Sequence, residues 1–325
     1  MVLAHTTSRP PGRAHRALSV KRRAAASGTV LMSLLVLAAS LFLPYSYSGP
    51  AAAPRQLADT SGPVAYTATF AAGFATGALL LLRGRTTRLG AGVIAGTAMV
   101  FTAQLISTTG DFLRSPQSGS DLFYGPGPGY WLNLVSGALL VASAAVTTTG
   151  VAKAGALRFR EFRPGRPWMV TGLLLTGLWA AGVCMSWLRT TVTQEADGRT
   201  STQTLTECCS LSTAPGQTVA QEAACAAVMM LLVVVSSRLS SASVAFGLLF
   251  GMAVGLAGPV ASVLFATPPT LEELAVWWGV NVQDLVRDQT VLAAEPQLGM
   301  WLTAAAVAGF ACLAGARVRS AARTP

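Results

Sequence analysis

The sequence predicts an all-α integral membrane protein: eight transmembrane helices arranged as two parallel four-helix repeats, with both termini in the cytoplasm. Three observations lead there. First, the 325 residues are 52% hydrophobic and only 11% charged, too few charges to wrap buried apolar helices in a polar outer layer. Second, uncharged windows of the roughly 20 residues that cross a hydrocarbon core recur near 28–45, 64–82, 89–108, 130–150, 168–188, 219–237, 242–265 and 298–316. Third, the net charge of +10 is unevenly placed. Counted over alternating loops, one side holds 18 of the 23 Lys and Arg with a single acid, Glu161, and the other holds the remaining 12 of the 13 acids. That is the positive-inside pattern. It assigns the basic charge to topology rather than to a nucleic-acid surface.

The chain then divides into a basic tail (1–27), a first repeat (28–150), a basic linker (151–167), a second repeat (168–316) with larger extracytoplasmic loops, and a tail (317–325). The first tail carries Pro10, Pro11 and the cluster Lys21, Arg22, Arg23 and reads as disordered. Its basic residues orient the first span and are attracted to anionic lipid, each by about 1 kcal/mol near such a surface. The first span resembles a cleavable leader, with small residues at 51–53. It is kept as a span because residues 28–47 match 170–189 at a constant offset of 142, and removing it would leave the first half one helix short.

Spans two and three match six and seven at an offset of 155, which puts Arg83 on Arg238 and the pair Gly92, Gly96 on Gly247, Gly251, extended by Gly255. Glycines four apart open a groove on one helix face into which a second backbone can pack. The expectation is that spans three and seven pack tightly, at the centre of each half or across the axis relating the halves. The alternative role is a transporter hinge. The fourth span follows the breaker run GPGPG at 125–129. Pro126, Gly129, Trp131 and Leu132 recur as Pro296, Gly299, Trp301 and Leu302 at an offset of 170, which reads as a helix start with an interfacial Trp anchor.

The second half adds length between spans. Thr-rich residues flanking Asp197-Gly198 predict a hairpin over 191–206. Cys208 and Cys209 follow, with Cys184 and Cys225 a turn or two inside the ends of their spans. A staple from Cys208 or Cys209 to Cys184 or Cys225, a thiol-disulfide exchange site, and unpaired small hydrophobes are the three readings, and the C-x-x-C of most exchange proteins is missing. In the last loop, Thr270 and Glu273 form a capping box for an interfacial helix over 271–287. It lies on the outer leaflet or on the loops, and Trp277 and Trp278 make it a candidate partner contact.

Glu222 is the one carboxylate within an expected span, about a turn from its outer end, with Gln104 and Asn133 at similar depth. Mid-span ionisable groups mark ion paths, and here the candidate functional polar residue is peripheral. The sequence shows no catalytic, metal or nucleotide constellation, so the expectation is no enzyme, no cofactor and no metal. The partners expected are the lipid bilayer and a membrane or extracytoplasmic protein, not nucleic acid. Ala, Gly, Thr and Arg in place of Lys suggest a bacterial multi-pass plasma-membrane protein. The leading functional reading is an accessory or scaffold subunit presenting its extracytoplasmic loops. The alternatives are a permease for a small apolar or neutral solute, with a path between the halves, and a membrane thiol-disulfide oxidoreductase.

Overall fold

The computed structural model describes residues 20–48, 53–56, 61–114, 123–153, 157, 159, 167–196, 199–208, 216–265 and 270–322. Its first half runs α1 (Val20–Leu41), β1 (Pro44–Ser48), β2 (Ala53–Gln56), α2 (Ser61–Leu82), α3 (Thr87–Arg114), β3 (Phe123–Pro126) and α4 (Pro128–Lys153). Its second runs α5 (Pro167–Val183), β4 (Leu188–Ala196), β5 (Arg199–Cys208), α6 (Gly216–Arg238) and α7 (Ala242–Leu264). Two short helices, α8 (Leu271–Trp278) and α9 (Val282–Arg287), precede β6 (Val291–Pro296) and α10 (Leu298–Ala322). Apart from a 3-10 turn at Gly84–Thr86 in the first half and the inserted α8 and α9 in the second, the two halves have the same order of elements. The sequence offset of 155 carries the first residues of α2 and α3 onto those of α6 and α7, and the offset of 170 carries that of α4 onto that of α10.

The protein is predominantly helical, and among the described residues five helices are long and apolar enough to cross a membrane by length and composition: α1, α4, α7, residues Pro63–Leu82 of α2 and residues Leu298–Ala316 of α10. Two further apolar stretches are shorter, α5 and Ala223–Arg238 of α6. The expected fifth span, 168–188, is cut at Val183. Residues Cys184–Trp187 leave the helix there, and the Trp187 indole N–H donates to the Gly182 carbonyl at 3.0 Å, which also accepts from the Met185 N–H at 3.1 Å, so the helix end is capped. The third expected span lies within the 28-residue α3.

The chain is also not purely α. Each half contributes a three-stranded antiparallel sheet with the same spatial order, β2-β1-β3 and β5-β4-β6, so the strand following the first helix is central in both. The hairpin expected at 191–206 is there and extends further at both ends, pairing Leu188 with Cys208 through Ala196 with Arg199. Three further strands of the first half, and β6, were not foreseen. The single helix expected over 271–287 is two helices. Gly279, at φ +65, breaks it, and the Asn281 side chain restarts it by accepting from the Gln283 N–H at 3.0 Å.

The core runs through the bundle from Val30 and Leu37 of α1 to Phe310 of α10. At its centre α3 crosses α7. Gly92 faces Val244 to Leu248 and Gly96 faces Leu248 to Met252, so contacts advance in the same direction on both helices and α3 and α7 run parallel. The two sheets therefore lie at the same end of the bundle. At the opposite end, Leu157 packs on the core, Phe159 bridges Leu239, and the Arg238 guanidinium sits 6.0 Å from the Phe159 ring centre, folding part of the linker back against the helices.

Candidate functional site

Two arrangements gather the residues that the sequence singles out: the crossing of α3 and α7, and the sheet end. At the crossing, Gly92 and Gly247 meet directly. A Cβ on Gly92 would lie 2.6 Å from the Val244 carbonyl oxygen and 3.0 Å from Gly247 Cα, and one on Gly247 would lie 2.9 Å from Gly92 Cα. The next pair repeats the relation: Gly96 abuts the Leu248 carbonyl and Gly251 abuts the Val93 carbonyl. Thr97 Oγ1 adds a donation to the Gly251 carbonyl at 3.2 Å. Gly255 meets side chains instead, Val100 and Phe70. Four glycines thus bring two backbones together as no residue with a side chain permits, and dispersion over that contact holds the helices.

A cluster of rings extends this centre towards the sheet end. Phe70 lies 5.1 Å from Tyr66 and 5.0 Å from Phe101 between ring centres, and Phe74 stands edge-on to Phe101. The Tyr66 hydroxyl donates to Gln104 Oε1 at 2.6 Å. Gln104 is thus a structural partner within α2 and α3. This bond has no local signature, because the two residues are 38 apart and on different helices.

At the sheet end, the recurring Pro-Gly-Trp-Leu motif has the same geometry in both halves. Gly127 N–H donates to the Tyr45 carbonyl at 2.9 Å and Gln297 N–H to the Trp187 carbonyl at 2.8 Å, each tying the start of the last helix to the segment after the first. A Cβ on Gly129 would lie 2.7 Å from the Leu43 carbonyl oxygen, and one on Gly299 would lie 2.6 Å from that of Gly182. The glycines therefore let α4 and α10 start against the carboxyl ends of α1 and α5. Trp131 and Trp301 are each 54% exposed, as anchors at an interface would be. Beside the first junction, half-buried Tyr45 stands edge-on to Tyr130 at 5.6 Å. Burial, and secondarily Tyr130, push its phenol pKa up to about 12, which keeps it neutral over the range in which proteins work.

The second sheet carries a small core of its own. Val192 of β4 is covered by Leu274 and Ala275 of α8 and Leu285 of α9, all buried, with Leu271, Val282 and Leu292 around them. Of the two settings expected for this segment, leaflet or loops, its apolar face takes the loops. Trp278, Val280, Val286 and Val291 remain exposed around this unit. The Trp277 and Glu273 side chains lie outside the described residues.

The cysteines are only partly gathered. Cys184 is exposed just past α5, Cys225 is buried in α6, and Cys312 is exposed on α10. The strand register sets Cys208 opposite Leu188, so the end of β5 returns to the neighbourhood of Cys184. The Cys208 side chain and all of Cys209 lie outside the described residues, as does the Glu222 side chain, although its backbone belongs to α6. Among the described residues no three His, Cys, Asp or Glu side chains cluster as metal ligands. Compared with protein-family models, curated proteins and solved structures, the chain matches none.

Proposed function

We propose that the protein is a scaffold subunit of a bacterial plasma membrane. In this reading it crosses the bilayer eight times as two parallel repeats, keeps both termini and the linker in the cytoplasm, and presents the sheet end to a protein partner outside. The observation that carries it is the unit of β4, β5, β6, α8 and α9: the second sheet, enlarged by two helices that the first half lacks and folded about its own apolar core, with Trp278 and Val280 left exposed. Ordered outer structure of this kind holds an interaction surface in place, and exposed aromatic anchors are typical of such surfaces. The parallel course of α3 and α7 and the matching sheet orders support parallel duplication. Sidedness is checked by thiol labelling of intact cells: cysteines introduced at Thr200 and Asp288 are expected to react, and reaction at Arg160 would reverse the topology.

The permease alternative places a path between the halves, where α3 and α7 are in backbone contact. Opening a path there would break this backbone-to-backbone packing, which favours the scaffold. The deciding experiment compares Glu222→Gln with a protein whose hairpin is shortened between Thr191 and Thr206. Scaffold function survives the first change and is lost with the second; the reverse pattern establishes a permease.

A disulfide from Cys184 to Cys208 or Cys209 would tie the hairpin to the end of α5, and the β4–β5 register favours Cys184 over the deeper Cys225. Mass spectrometry of the unreduced protein is expected to recover that linked peptide pair. Five alkylatable thiols would end both the staple and the exchange-enzyme alternative.

A further inference from the structure

At the end of the bundle away from the sheets, a groove of about 740 Å³ runs along α1 and α4, lined from Arg22 and Arg23 down to Val36 on one side and from Lys153 up to Leu139 on the other. At 1.5 Å per residue it runs about 20 Å along α1, roughly the depth of one leaflet's acyl layer. The charges in its lining are Arg22 and Arg23 near the start of α1 and Lys153 at the end of α4, and no carboxylate contributes. Arg23 reaches across to the turn between α2 and α3, its guanidinium against Gly84. Its Nε is buried without a hydrogen-bond partner among the described residues.

Further in, the hydroxyls are taken up within the protein, across the two helices from Ser143 to Thr29 Oγ1 at 3.3 Å and otherwise along their own helices. Ser33 donates to the Thr29 carbonyl at 2.8 Å, Ser143 to that of Leu139 at 2.8 Å and Thr147 to that of Ser143 at 2.7 Å. The deep part is therefore apolar in effect, flanked by Met32 and Val146, both more than 60% exposed.

The equivalent place in the second half is lined differently. The offsets of 142 and 170 set Leu175 opposite Ser33, Leu313 opposite Ser143 and Gly309 opposite Leu139. There the Leu175 side chain packs directly onto Gly309, and Leu313 is buried. Serines in the first half stand where leucines stand in the second, and Arg22 and Arg23 correspond to Pro164 and Gly165, whereas Lys153 corresponds to Arg323.

We propose that this groove holds one anionic phospholipid of the leaflet on the side of the termini. Its phosphate sits among Arg22, Arg23 and Lys153, and an acyl chain lies along Met32, Val36, Leu139 and Val146. The charge matches, since guanidinium and ammonium groups at membrane depth attract anionic headgroups. The apolar length matches a chain and not a soluble anion. The inference rests on the membrane-embedded reading above.

The test uses the full chain in vesicles of phosphatidylcholine, alone or with phosphatidylglycerol, followed by detergent exchange and native mass spectrometry. One phosphatidylglycerol is expected to stay bound in preference to phosphatidylcholine, and Arg23→Gln combined with Lys153→Gln should lower its retention at least about tenfold. Ser33→Leu with Ser143→Leu, which imports the filling residues of the second half, should also expel it while the cations remain; an unchanged melting midpoint of the charge variant keeps the test valid should the leucine variant misfold. A photoreactive residue at Val146 should capture a phosphate-containing lipid in native membranes. Equal retention of the two lipids, indifference to the charge variant, displacement by inorganic phosphate or capture of a polypeptide at Val146 each overturns the proposal. Release of the whole chain from vesicles by alkaline carbonate would instead overturn the membrane reading itself.

Discussion

Gly96→Val and Gly251→Val are expected to abolish the folded membrane core, and the alanine versions of the same changes to weaken it by roughly 2–4 kcal/mol each. A Cβ at Gly96 runs into the Leu248 carbonyl and comes 2.9 Å from the Met252 nitrogen; one at Gly251 meets the Val93 carbonyl and comes 2.9 Å from the Thr97 nitrogen. These are backbone atoms of the opposing helix and cannot rotate away, so the only relief is for α3 and α7 to separate. Separation costs contacts along the whole crossing, because dispersion falls steeply with distance. It also stretches the Thr97 hydroxyl away from the Gly251 carbonyl. The two alanine changes should be less than additive by about 1 kcal/mol or more, since the space opened for one methyl also admits the other. Gly177→Ala is the control. Nothing lies within 4 Å of its Cβ position, and helix propensity favours alanine by up to about 1 kcal/mol, so its melting midpoint should hold or rise. A Gly96→Ala protein that melts with the wild type in detergent would mean that the helices do not cross where the glycines meet.

This crossing shows what a sequence can carry about such a fold. Glycines at i and i+4 recurring 155 residues apart mark a close approach, because glycine inside a helix costs stability unless a neighbour uses the space. The repeat offsets likewise anticipate where helices begin, and Asp197-Gly198 marks a hairpin, since each is a local signal that tertiary packing has no reason to override. What was not legible is mostly pairing over distance. β1 and β2 are five- and four-residue segments containing Pro44 and Pro54, a composition that argues against strands, and they exist because β3 returns from far along the chain to complete the sheet. The early end of α5 has the same origin. Nothing apolar stops at Val183; the helix is closed by Trp187 folding back on Gly182 and by β4 entering a sheet. The different lining of the α1–α4 groove and of its counterpart was written in Ser33 and Leu175, but it takes the contact of Leu175 with Gly309 to say where the leucine packs.

Leu274→Ala is expected to open the unit formed by α8, α9 and the second sheet while the helical bundle stays folded, and with it to remove partner binding. Leu274 is fully buried against Val192, Ala275 and Leu285, and a buried Leu→Ala change costs about 2–5 kcal/mol. Against the whole bundle that is survivable. Against a local core of four buried residues it is comparable with all the stability available, since small apolar clusters are marginal and parts of a structure open independently of the rest. The variant should therefore show rapid proteolysis between residues 270 and 296 with the main melting transition unmoved, and captured partner should fall at least about tenfold. Val286→Ala separates contact from architecture. Val286 is 54% exposed, so its loss should leave the unit closed, and any fall in partner capture then reports a surface contact. An opened Leu274→Ala protein that captures partner as well as the wild type would show that the sheet end is not the docking surface, and the scaffold assignment would fall with it.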